Sequence, residues 1–354
     1  MVTDEAPRFP IVALGASAGG LDALSRFFRA MSAAAASPGM VFIVIPHLPP
    51  DQESDMAALL QRDTELPVAP LTEPVRLEPD HVYVLQPGRT MRAVGDRLES
   101  PPQQDETTRY PVDEIFRSIA ERHGERAVAV VLSGTGRGGA RGVGVVHEAG
   151  GLAIAQAPDD AEFDEMPRRA VETGVVDAVL ATADMPELLL RNARRLAERA
   201  GESAPPDAER DDIAPAAPET RAEATVEAPS GPNERARDPM RRILALLRRK
   251  AEIDFRQYKP GTLERRIDRR ATLHRRGSRA DYADLLRDDP EELSALADDL
   301  LITVTSFFRD PEAWRALRER AIRPLLDARR EDEPIRAWVA GCATGEEAYS
   351  LAIA

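Results

Sequence analysis

The chain has 354 residues, 43% of them hydrophobic, with a formal net charge of −14 and one cysteine. That length exceeds one ordinary core and implies two or three domains, while the acidic balance argues against nucleic-acid binding or adhesion to anionic membranes. Cys342 alone excludes an internal disulfide framework, the five histidines lack metal-ligand spacing, no apolar run reaches the ~18 residues of a membrane helix, and MVTDEAPRFP lacks the parts of a signal peptide. A cytoplasmic protein without a bound metal and without membrane insertion is therefore expected.

From the N-terminus, IVALGA, VFIVIPH, HVYVLQP, AVAVVLSG, LAIAQA and DAVLA read as strands spaced by helix-length segments. This pattern predicts an α/β fold with a doubly wound, mostly parallel sheet. Between the first strand and the helix LDALSRFFRAM lies Gly15-Ala16-Ser17-Ala18-Gly19, which fits G-x-S-x-G. In that pattern small neighbours let a strained turn expose the serine hydroxyl, and the following helix N-terminus suits an oxyanion. A glycine turn with a capping serine fits the same stretch. It does not match the G-x-G-x-x-G of a dinucleotide site.

A nucleophilic serine needs a base. His47 ends the second strand, and neighbouring parallel strands bring their C-terminal ends to one edge, although a strand-end histidine with ordinary partners fits there too. His81 begins a strand and is expected at the opposite edge. His123 and His147 lie near helix ends, where solvated or capping roles are expected, and His274 lies in an Arg-rich helix. A carboxylate to orient the base would belong after AVAVVLSG, and GTGRGGARG contains none.

The stretch 202–239, rich in Pro, Ala and Glu, has almost no large apolar side chains and reads as a flexible linker. From Pro239 the pattern becomes an Arg-rich helical block, predicting a small all-α domain. At IRAWVAGCATGEEAYSLAIA, 335–354, a strand, turn and helix begin, the start of a Rossmann-like sheet that looks truncated. The expected division is 8–197, a linker at 198–238, a helical domain at 239–325, and a further domain from 326.

GASAGG, the HLPP after the second strand, VYVLQPG, LSGTGRGGARG and AQAPDDAEFDEMPRRAVETGVVDAVL, in that order, resemble the CheB-type chemotaxis methylesterase domain. The resemblance implies Ser17 as nucleophile, His47 as base and no cofactor. It also puts Gly138 where the family carries the orienting aspartate, a loss of about 10⁴-fold in the Ser-His-Asp template. Asp159, Asp160, Glu162 and Asp164 are the possible stand-ins, and Arg137 beside the gap would favour an anion. Ala18 replaces a frequent threonine, and Thr135 a methionine in a turn whose backbone N–H faces the oxyanion. The alternative is a disarmed domain acting as a docking or regulatory module. An unrelated serine hydrolase would instead turn over generic esters.

FRQYKPGTLERRIDRR, DLLITVTSFFRDPEAW and VAGCATGEEAYSLAI resemble the CheR-type glutamate O-methyltransferase. This implies, for a full-length parent, S-adenosylmethionine held by Thr303, Thr305, Arg309, Gly341, Gly345 and Glu346, with the site expected to be incomplete in this chain. It also implies methyl-accepting chemoreceptors as partners, docked on a helix face bearing Arg265, Arg266, Arg269 and Arg270.

Overall fold

The computed structural model describes residues 9–46, 54–94, 97–102, 111–201, 238–251, 255, 258–301, 307–328, 335–342 and 345–354. The chain divides into two units, Met1–Ala297 and Asp298–Ala354.

The first unit is built on a seven-stranded sheet in the order β10 (Ala178–Leu180), β9 (Leu152–Gln156), β8 (Ala127–Val131), β1 (Ile11–Ala16), β2 (Val41–Pro46), β5 (Val82–Leu85) and β3 (Val68–Leu71), with every neighbouring pair parallel. Strand β1 (Ile11–Ala16) leads into α1 (Gly20–Ala34) and then β2 (Val41–Pro46). Next come α2 (Met56–Leu60), β3 (Val68–Leu71), β4 (Val75–Arg76), β5 (Val82–Leu85), β6 (Arg92–Val94) and β7 (Arg97–Glu99). Helix α3 (Pro111–His123) returns the chain to β8 (Ala127–Val131), followed by α4 (Ala140–Glu148), β9 (Leu152–Gln156), α5 (Glu165–Val171), β10 (Ala178–Leu180) and α6 (Met185–Gly201).

The strands anticipated from the apolar runs are present. Strand β1 is buried along its whole length because helices cover both faces of the sheet, which is why it reads as a continuous apolar run rather than an alternation. On one face Leu24, Phe27, Phe28 and Met31 of α1, at helical spacing, pack with Met185, Leu188 and Leu189 of α6. Phe27, Phe28 and Phe42 meet edge to face at centroid separations of 5.2 to 6.0 Å. On the other face α3, α4 and α5 bury Ile115, Phe116, Val143, Val146 and Met166.

Strand β3 and the antiparallel β4-β7-β6 sheet were not expected from the sequence. Prolines 67 and 70 break the apolar pattern of β3, which an edge strand tolerates because only one side needs hydrogen bonds. The short strands of the small sheet carry too few residues for periodicity to register.

Helices α7 (Pro239–Ala251), α8 (Pro260–Leu273), α9 (Arg279–Asp288) and α10 (Pro290–Leu300) follow. Ile243, Leu247, Leu263, Ile267, Tyr282, Leu286 and Leu296 are buried among them. Ser278 caps α9 by accepting from the Asp281 amide.

In the second unit α11 (Pro311–Leu317), a π turn (Arg318–Ile322) and α12 (Arg323–Ala328) precede α13 (Glu346–Ile353). Residues 335–340, expected as a strand, carry none. Strand geometry needs a neighbour to take its backbone hydrogen bonds, and none pairs with them among the described residues.

Candidate functional site

The strand order reverses at β1: β2 lies on one side and β8 on the other. In open α/β sheets this switch point leaves a crevice beyond the C-terminal strand ends. Two turns border it, residues 17–19 after β1 and residues 132–139 after β8.

Ser17 is half-buried. Its amide donates to the Ser133 carbonyl at 2.9 Å, and its carbonyl accepts from the Gly20 amide at 2.9 Å. Gly19, at φ 70°, turns the chain into α1, a left-handed conformation that other residues adopt with strain. Gly134 allows the two turns to touch: a Cβ there would lie 2.8 Å from Ser17 Cβ, 3.1 Å from Ser17 N and 2.3 Å from Met166 Sδ. The amides of Ala18 and Thr135, one on each turn, have no acceptor among the described residues.

Ser133, only 1% exposed, ties the crevice together. Its hydroxyl donates to the Ala18 carbonyl at 2.9 Å and accepts from the Phe163 amide at 3.0 Å. Its amide donates to Gln156 Oε1 at 2.7 Å. Sequence reading missed this hub, because a serine after a strand has no distinguishing pattern until its long-range partners are known.

Strand β2 ends at Pro46, paired with Ala16. His47 lies outside the described residues, as do Thr303 and Thr305.

The carboxylates sort by their partners. Asp160 is a structural clamp for Arg26 (2.6 Å), Gln156 (2.9 Å) and the Thr182 amide (3.0 Å). Burial opposes its charge, but the Thr182 amide, Arg26 and Gln156 hold the carboxyl below the usual carboxylate range. Asp164 pairs with Arg168 at 2.6 Å. Glu162 lies against the serine turn, its Oε2 2.9 Å from where a Gly19 Cβ would sit. The sequence reading passed over Glu165, whose Oε2 accepts from the Gly136 amide at 3.0 Å. Gly138 has ordinary space around it, with a Cβ there meeting Met166 Cε at 3.5 Å and Val112 Cγ2 at 3.7 Å. Arg137 and Thr135 are exposed. Asp113, from α3, accepts from the Arg141 and Gly142 amides at 2.9 and 2.7 Å, so the α4 N-terminus is already capped. Burial pushes the Asp113 carboxyl up.

The other histidines depart from expectation in part. His81 does precede β5, its Nδ1 3.0 Å from the Pro79 carbonyl. His123 is buried rather than solvated, with no hydrogen-bond partner for either ring nitrogen among the described residues. Burial, aided by Arg122 and Arg126, pushes its pKa down to about 4. His147 faces Arg269 and Asp177, and His274 pairs with Glu292 at 2.7 Å.

Residues 12–189 match the family model of the CheB methylesterase. The chain belongs to the CheB methylesterase family. Residues 238–301 match the all-alpha domain of the CheR methyltransferase, and residues 303–354 its SAM binding domain. A methylesterase domain is thus followed by methyltransferase domains. The chain is 41% identical over 302 residues to a Rhodobacter capsulatus protein named "Uncharacterized 104.1 kDa protein in hypE 3'region", spanning 84% of this chain and 31% of that protein. It is 35% identical to protein-glutamate methylesterase/protein-glutamine glutaminase 1 of Myxococcus xanthus, over 52% of this chain and 54% of that one. With protein-glutamate methylesterase/protein-glutamine glutaminase 2 of Pseudomonas aeruginosa it shares 34% identity, over 52% and 53%. The chain therefore spans about a third to a half of the length of these relatives. The crystal structure of the Thermotoga maritima CheB methylesterase catalytic domain is similar with a TM-score of 0.47 and 25% identity, covering 51% of this chain and 97% of that one.

Within the methyltransferase part, the Phe308 amide donates to Ser350 Oγ at 2.8 Å, and Phe307 stacks on Tyr349 at 6.4 Å. The segment holding Arg309 therefore runs along α13, whose N-terminus follows Gly345 at φ 102°. A Cβ at Gly341, φ 67°, would meet nothing within 4 Å among the described residues, which leaves room for a ligand beside the backbone there. Space at Gly341, ahead of the α13 N-terminus, together with the Arg309 segment along that helix, fits the cofactor expected of such a domain.

The expected arginine dock is corrected. Arg266 and Arg269 are 4% and 2% exposed, and Arg270 makes a bidentate pair with Glu292 at 2.7 and 2.6 Å. Helical spacing gathers these side chains, but the partners of Arg269 and Arg270 lie on other elements and draw them inward.

Proposed function

We propose that this chain works in chemotactic adaptation, hydrolysing glutamate γ-methyl esters on chemoreceptors at Ser17, while its methyltransferase part methylates receptor glutamates. The observation carrying the esterase reading is the placement of Ser17 at the sheet's switch point, pressed against Gly134, with the Ala18 and Thr135 amides beside it. Ser17 Oγ attacks the ester carbonyl as His47 takes the hydroxyl proton. The two amides stabilise the oxyanion, and its collapse expels the alkoxide, which His47 protonates to methanol. Water then attacks the acyl carbon, giving a proton to His47, and His47 passes it to Ser17 Oγ as that oxygen leaves, which frees glutamate and restores Ser17.

The orienting carboxylate has two readings. Glu165, hydrogen-bonded to the turn that contains Gly138, can stand in for the missing aspartate. Without such a stand-in the domain is disarmed and serves for docking or regulation, a reading favoured by the absence of a side chain at Gly138. S-adenosylmethionine, when bound, supplies the methyl group. Thr303, Thr305, Arg309, Gly341, Gly345 and Glu346 would hold it, with the glycines admitting it close to the backbone.

We place the methylesterase domain at 8–197, the linker at 198–238, the helical domain at 239–325 and the methyltransferase domain from 326, in a cytoplasmic protein. The linker is supported by one family match ending at 189 and the next beginning at 238, while the all-alpha match ends at 301 and the SAM-binding match begins at 303. Among the described residues no helix is long and apolar enough to cross a membrane. The test is methanol release from methylated receptor by the full chain and by Ser17→Ala. Release by the parent that Ser17→Ala abolishes supports the enzyme, and a silent parent supports the docking reading.

A further inference from the structure

The arginine-rich helix α8 meets the methylesterase domain at the N-terminal edge of its sheet, the edge opposite Ser17. Arg269 Nη1 lies 3.2 Å from the Gly151 carbonyl and 3.2 Å from His147 Nδ1, and its Nη2 lies 3.5 Å from Asp177 Oδ1. Asp177, with its side chain 3% exposed, is itself fixed by accepting from the Ala153 amide at 2.8 Å. One residue earlier on α8, Asp268 accepts from Arg199 of α6 at 2.8 Å and from Arg279 of α9 at 2.6 Å. One turn further on, Leu273 packs against the apolar cluster that includes Leu188 and Leu189 of α6. The Arg265 side chain lies over Gly150, its Nε 3.8 Å from where a Cβ would be.

We infer that the arginine-rich face of α8 is occupied in cis by the methylesterase domain, and that Arg269 and Asp268 make a fixed joint between the two. A guanidinium withdrawn from water is costly unless a matched acceptor set meets it. The set that meets Arg269 comes from three elements of the other domain: the end of α4, the residue before β9 and the residue before β10. These contacts form only when the surfaces are together in one register. Asp268, gripped from α6 on one side and α9 on the other, gives a second fixed point that opposes rotation about the first, and Leu273 adds apolar burial. Because the joint lies at the far edge of the sheet, it leaves the switch-point crevice open. It also removes this helix face from the surfaces available to a receptor.

The test inserts a site-specific protease sequence between Gly201 and Asp238 of the full chain and follows the cut fragments by size-exclusion chromatography and titration. The fragments are expected to co-elute at micromolar concentration. Arg269→Ala is expected to weaken their association by about 100-fold or more. Arg199→Ala, at a quarter-exposed position, shifts it in the same direction by a smaller factor, while Arg241→Ala, exposed on α7, leaves it unchanged. Circular dichroism of the uncut variants separates a lost joint from a lost fold. Separation of the parent fragments at micromolar concentration would overturn the joint. So would undiminished association in a folded Arg269→Ala chain, or Arg199→Ala behaving like Arg241→Ala.

Discussion

Replacing Gly138 with aspartate asks whether the crevice lacks only one carboxylate. A Cβ at this position meets Met166 Cε at 3.5 Å and Val112 Cγ2 at 3.7 Å, both ordinary contacts. Gly138 is also not among the glycines held at positive φ, unlike its neighbours Gly136 and Gly139. The side chain therefore enters without strain, and loss of glycine's freedom in the unfolded chain is worth about 0.4–1 kcal/mol in favour of the fold. The melting temperature should rise by a few degrees at most, since about 1 kcal/mol corresponds to roughly 2–4 °C in a domain of this size. The catalytic term is larger: an orienting carboxylate contributes about 10⁴-fold to turnover in the serine-histidine template, or about 5.5 kcal/mol of barrier. If nothing replaces that group, Gly138→Asp should raise methanol release by orders of magnitude toward this limit, and Glu165→Gln should change nothing in the parent. If Glu165 has taken the role, the parent turns over, Glu165→Gln slows it by at least ~100-fold, and Gly138→Asp adds less than ~10-fold. The assay is methanol release from methylated receptor beside thermal melts of each variant. A folded Gly138→Asp chain that is no faster than its parent, together with an indifferent Glu165→Gln, would refute the carboxylate argument. A melting temperature lowered by more than about 5 °C would refute the steric one.

Gly134→Ala should behave oppositely, because its new methyl would lie 2.3 Å from Met166 Sδ and 2.8 Å from Ser17 Cβ. A cost of about 1–3 kcal/mol in denaturant melts and a greater proportional loss of any esterase activity are expected. For His123, burial lowers the pKa from 6.5 to about 4, so the unfolded chain binds a proton that the native chain refuses. Stability should be flat above pH 6.5 and fall as the pH drops toward 4, by about 2 kcal/mol between pH 7.5 and 5. Urea midpoints at the two pH values measure this, and His123→Phe should remove that share of the slope. Asp113→Ala strips the acceptor from the Arg141 and Gly142 amides and should cost about 1–2 kcal/mol in urea melts, whereas Asp113→Asn, which keeps an oxygen there, should cost less.

The sequence by itself determined the parallel sheet and the place of Ser17. Runs such as IVALGA and AVAVV are continuous because both faces of each strand are covered, and a glycine at φ 70° beside Ser17 is a local demand of the strand-to-helix turn. These signals reside in neighbouring residues. What only the tertiary structure decided depends on groups far apart in the chain. Helical spacing placed Arg269 and Arg270 together, but whether they face water or protein was fixed by Asp177, His147, Gly151 and Glu292. Glu165 and Ser133 gained roles only when folding brought Gly136, Ala18 and Phe163 to them, and His123 lost its solvent through the packing of α3. Residues 335–340 have the apolar pattern of a strand and form none. Periodicity records which side a residue would bury, whereas charge burial and strand pairing depend on what stands opposite, and the chain supplies that only by folding.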